Sequence, residues 1–124
     1  MCFGAAVMAG VREIRYGAAD RWAGAAGLVQ ASPYIAAKGM RVLGPQPLVQ
    51  AVSLVLMTEY TLRRASARAA EVAAAFRAQD ARATELGETW LRSGRLLRAS
   101  RNAMPVARLC REIWQEIAAG YAIG

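Results

Sequence analysis

Arg92, Arg95, Arg98 and Arg101 recur at every third position, and Arg108 and Arg111 follow with no acidic residue between Glu88 and Glu112. A guanidinium group holds phosphates and carboxylates through paired, planar hydrogen bonds. On an α-helix each step of three turns back by about 60°, so the first four arginines fan across half the circumference. That makes a basic ridge and not a point site. Such a ridge can grip the phosphates of a nucleic acid, an anionic lipid such as cardiolipin, or the carboxylates of a neighbouring subunit. A neighbouring protein subunit is the favoured partner, with anionic lipid as a further one. Nucleic acid ranks second, because only Trp90 and Trp114 are near enough in sequence to stack on bases.

Other chemistry is thin. The chain contains no histidine, which removes the usual general base near neutral pH and the commonest metal ligand. The nine carboxylates are scattered, and the one-turn pairs Glu85/Glu88 and Glu112/Glu116 read as solvated helix faces. No glycine-rich phosphate loop or nucleophile elbow occurs. Cys2 and Cys110 lie at opposite ends without metal-ligand spacing, as expected of a reducing, intracellular compartment. The expectation is a protein that is not an enzyme and uses no metal and no cofactor. Arg63-Arg64-Ala65-Ser66 matches a basophilic kinase site, a pattern that arises by chance in any arginine-rich chain. Trp22-Ala23-Gly24 resembles the tripeptide of small secreted helical-hairpin proteins, but it sits too near the amino terminus and nothing else matches.

The 124 residues have room for one domain, and the net charge is +7. All but one of the 16 basic residues are arginine, the exception being Lys38, as a GC-rich genome would produce. The apolar fraction is 56%, but so much of it is alanine that an isolated chain would bury little area per residue. The most apolar run, Leu48 to Met57, is interrupted by Gln50 and Ser53 and is too short for a membrane span.

The elements that must position the ridge are helical. From Leu48 to Met104 small or apolar residues repeat at alternating steps of three and four, through Ala51, Val55, Thr58, Ala65, Ala69, Val72, Phe76, Ala83, Leu86 and Trp90, with a polar flank one residue later that includes Glu59 and Asp80. This spacing predicts one long helix over about 47–101, which would extend about 85 Å at 1.5 Å per residue. Ser32-Pro33 predicts a helix start, Gly44-Pro45-Gln46-Pro47 a stiff turn, and Asn102 to Pro105 a break. Shorter helices are therefore expected over about 5–30, 33–43 and 105–119, with Gly120 as the final cap and Gly87 and Gly94 as bends in the long helix. No segment shows sustained period-two alternation. The fold expected is all-α, a single helical domain over 1–124 that is not independently stable, with the shorter helices packed along the long one.

A rod of that length cannot hide its apolar edge within so short a chain. Ala65, Ala69, Val72, Phe76, Leu86 and Trp90 are therefore the candidate partner-binding residues, and Arg92, Arg95, Arg98, Arg101, Arg108 and Arg111 the candidate anion-binding ones. The function expected is a non-catalytic structural or accessory subunit of a large multi-subunit assembly. An organellar membrane complex of the respiratory-chain or ATP-synthase type, in the mitochondrial inner membrane, is the preferred setting. The alternative is a basic protein contacting nucleic acid inside a phage particle or ribonucleoprotein. A rod cut into short pieces around an interior of its own would remove the ground for a brace.

Overall fold

In the computed structural model, which describes residues 3–22 and 24–119, the chain is mostly helical and divides into two compact units, 1–50 and 51–124.

The first unit contains helix α1 (Phe3–Met8), strand β1 (Glu13–Arg15), a 3-10 turn over Ala26–Gln30, helix α2 (Pro33–Ala37) and strand β2 (Arg41–Leu43). The strands pair in parallel, Glu13 opposite Arg41, Ile14 opposite Val42 and Arg15 opposite Leu43. This corrects the helices expected over 5–30 and 33–43. Three-residue strands are too short to display alternation, and a parallel pair is joined by a crossover and not by a hairpin turn, so neither usual strand signal is present. The predicted helix start is where it should be: Ser32 accepts a hydrogen bond from the Ile35 amide at 3.2 Å, with Pro33 in the first helical position. That helix stops at Ala37 because Gly39 turns left-handed, at φ 61°, and sends the chain into β2. Ala6, Val7 and Met40 form the buried centre of this unit, with Phe3, Val11, Ile14, Val29 and Ile35 packed around it.

The second unit is built from α3 (Pro47–Arg64, whose first residues belong to the first unit), α4 (Ala69–Gln79), α5 (Ala81–Ser93), α6 (Arg95–Arg101) and α7 (Val106–Ala118). The rod expected over 47–101 is thus four helices. Each break has a local cause. Ala65 adopts a positive φ of 47° and lets the chain turn back after α3. Asp80 is extended, and its carboxylate accepts the Ala83 amide at 2.9 Å, capping α5. Gly94 is left-handed at φ 63° and closes α5. α7 agrees with the helix expected over 105–119, and Gly120 lies outside the described residues, as do Cys2 and Ala23.

α3, the longest helix, packs against α4, α5 and α7. Ala51, Val55, Thr58, Ala69, Phe76, Ala83 and Trp90, all on the predicted stripe, are buried here together with Leu54, Ala73, Ile113 and Ile117. The stripe therefore holds from α3 to α5 although the rod does not: successive helices turn the same face to a common interior. Gly87 is the point of closest approach. A Cβ there would lie 2.7 Å from the Val55 carbonyl oxygen and 2.8 Å from the Thr58 Cβ, so it is a contact between α5 and α3 and not the predicted bend. Among the described residues no helix is long and apolar enough to cross a membrane.

Candidate functional site

The six arginines of the predicted ridge separate into two groups. Arg95 turns inward to α7, where it forms an ion pair with Glu116 and a second with Glu112 at 3.1 Å. Its guanidinium also lies 4.0 Å from the centroid of the Trp90 ring. Trp90 in turn donates its indole N–H to Glu116 at 3.2 Å. Arg108 pairs with Glu112 at 3.2 Å along α7 itself. The Glu112 carboxyl is held below the usual carboxylate range, first by the hydrogen bond from Arg95 and then, against the opposing effect of burial, by that from Arg108. Glu112 and Glu116, expected as a solvated face, are the counter-ions of a clasp between the start of α6 and α7.

The second group stays outside. Arg92 donates to the Thr89 hydroxyl at 3.0 Å, and Arg98 donates to the Ser93 carbonyl. Arg101 and Arg111 are exposed and have no acidic partner among the described residues. Arg92, Arg98, Arg101 and Arg111 thus lack a counter-ion among the described residues, and two of the six positions serve the fold.

The candidate partner-binding residues also divide. Ala69, Phe76 and Trp90 are buried in the second unit, Val72 and Leu86 are half-buried, and Ala65 is exposed in the turn after α3, beside Ser66 of the kinase-like motif. The interior of this chain occupies the centre of the stripe, a use that the assumption of an unbroken rod concealed.

A feature that sequence reasoning missed lies in the first unit. The Arg41 N–H donates to the Arg12 carbonyl at 2.9 Å and the Tyr16 N–H donates to the Leu43 carbonyl at 3.0 Å. Because backbone groups alternate in direction along a strand, the N–H and C=O of Glu13 and Arg15 point away from β2. Among the described residues nothing pairs with that edge. On one face of the two strands the Glu13 carboxylate binds Arg15 at 2.7 Å and Arg41 at 2.6 Å, and the former bond chiefly keeps the carboxyl below its ordinary range. The opposite face carries Ile14 and Val42, which border an apolar cavity of about 290 Å³ lined also by Phe3, Ala6, Tyr16 and Asp20. The Asp20 carboxylate accepts the Trp22 amide at 2.8 Å. Arg12-Glu13-Ile14-Arg15 gave a faint signal, an apolar residue between charges, over too few residues to call a strand. Comparison with protein-family models, with curated proteins and with solved structures finds no match for this chain.

Proposed function

We propose that the chain is a non-catalytic component of a larger protein assembly, joined to it through the first unit. The open edge of β1 carries this reading. Parallel strands occur almost only in larger, covered sheets, and an isolated two-stranded sheet has little stability of its own. Here a two-stranded parallel pair whose β1 edge is unpaired among the described residues adjoins an apolar cavity, a combination that favours a covering partner. The long seam lends no support, since Ala69, Phe76 and Trp90 already face this chain's own interior. An organellar or virion setting rests on composition alone, the arginine excess and the +7 charge. The test is the size of the untagged protein from its native source at native abundance, by gel filtration followed by mass spectrometry. A particle well above the 13.3 kDa chain mass is expected; a lone monomer overturns the reading.

A second reading has its own observation. Arg92, Arg98, Arg101 and Arg111 are exposed and have no acidic partner among the described residues, which suits contact with phosphate. Retention on heparin or duplex DNA that falls steeply as salt rises supports it, and weak, salt-insensitive retention removes it.

A further inference from the structure

We propose that the outer edge of β1 pairs antiparallel with β1 of a second copy of this chain, about a two-fold axis at Ile14, to form a continuous four-stranded sheet. This deepens the assembly reading by naming what covers the edge. The register is self-complementary at three levels. The outward N–H and C=O of Glu13 meet those of Arg15 of the partner subunit, and the reverse, giving two hydrogen-bonded pairs that each exchange both bonds. Ile14 then faces its own copy in the non-hydrogen-bonded position, where side chains approach most closely. Across the polar face the order becomes Arg41, Glu13, Arg15 of the partner subunit, so each Glu13 lies between two cations.

The side chains are placed for this exchange. Arg15 and Arg41 have side chains 70% and 72% exposed, while that of Glu13 is 24% exposed. A guanidinium has five donors, so Arg15 can keep its bond to Glu13 of its own strand and donate to a second carboxylate. On the other face Val42 and Ile14 continue into the same residues of the second copy, making one apolar row beside the cavities. Other registers lose this match. A slip by one residue turns Ile14 toward the charged face, and a slip by two leaves most edge groups unpaired. An isologous contact closes on itself, so the product is a dimer and not a fibre.

The test uses the full chain. Sedimentation or light scattering should give twice the 13.3 kDa chain mass at micromolar concentration. Hydrogen exchange should show the Glu13 and Arg15 amides protected in the dimer and released on dilution. Glu13→Arg alone and Arg15→Glu alone each place like charges opposite one another and should weaken the dimer roughly ten-fold or more. Mixed in equal amounts, the two variants face each other with opposite charges and should regain the dimer mass as a heterodimer. A wild-type chain that stays monomeric with freely exchanging Glu13 and Arg15 amides overturns the proposal. So does a dimer that leaves those amides exchanging freely, or one whose mass ignores both variants. The hydrogen-exchange arm needs no variant, so a misfolded substitution does not blunt the test. A monomer here, beside a large native particle holding other chains, would sink the self-pairing and leave the assembly reading standing.

Discussion

The guanidinium of Arg95 lies 4.0 Å from the centroid of the Trp90 ring, while both residues bond the Glu116 carboxylate from different sides. One acid thus holds an indole N–H of α5 and a cation of α6 against α7, and the ring beneath is 1% exposed. A residue from the predicted basic ridge and one from the predicted partner seam meet in the same internal clasp. Trp90→Ala should lower stability by about 3–5 kcal/mol, read from urea denaturation of the helical signal. Trp90→Phe, which keeps most of the packing and loses the N–H, should cost about 1–2 kcal/mol. Equal losses for the two would show that the bond to Glu116, and not the ring, dominates.

Glu112 links this clasp to pH. A carboxyl whose pKa is lower in the folded chain stabilises the fold above its unfolded value, and that contribution vanishes as pH falls through the folded one. Arg95 first and Arg108 second put Glu112 in this class. Wild type should therefore melt above Glu112→Gln at neutral pH, and the gap should close as the pH drops below about 4. Melting curves at several pH values measure the gap. If it were equally wide in strong acid, the ion pairs would not be its source.

Two glycines in α5 and at its end should respond differently. Gly87→Ala adds a Cβ 2.7 Å from the Val55 carbonyl oxygen, which should cost about 1–3 kcal/mol and outweigh the gain of about 1 kcal/mol in helix propensity. Gly94→Ala meets nothing nearer than the Arg98 Nη1 at 3.7 Å, so its cost is the left-handed backbone alone, about 1–2 kcal/mol. The discriminating measurement is a larger-to-small swap on the facing helix: Thr58→Gly, which removes the Cβ 2.8 Å away, should recover part of the Gly87→Ala loss and none of the Gly94→Ala loss.

Thr58 itself is fully buried, and its hydroxyl has no hydrogen-bond partner among the described residues. An unpaired buried hydroxyl is a standing cost, so Thr58→Val, with nearly the same shape, should stabilise the chain by about 1 kcal/mol. Chemical denaturation gives the sign directly. A loss of stability would show that the hydroxyl is bonded in solution.

Much of this was legible in advance, and the rest was hidden for definite reasons. The mostly helical class, α7, the Ser32-Pro33 start and the buried stripe from Ala51 to Trp90 follow from spacing and capping chemistry. Periodicity reports which way residues face, however, and not whether the backbone between them is continuous. Asp80 had the side chain of a helix cap, but it also fitted the polar flank of an unbroken helix. Ala65 to Arg68 carried no warning, because alanine favours helix and tertiary burial of Ala69, Ala73 and Phe76 overrides that preference. Glu59, placed on the same polar flank, is fully buried on α3, with Arg63 Nε 3.2 Å from its carboxylate. The division of the arginines depends on which acids α7 brings across to α6, a long-range fact that local spacing does not encode.

Asp80 is the sole residue between α4 and α5: its amide finishes the first helix on the Phe76 carbonyl at 2.8 Å, and its side chain begins the second. A corner with no slack transmits phase. Inserting or deleting one residue there would rotate everything downstream by about 100°, swinging the Trp90 indole out toward water and a charged neighbour into its place. Length at that corner is therefore a harder constraint on this chain than the identity of most side chains around it.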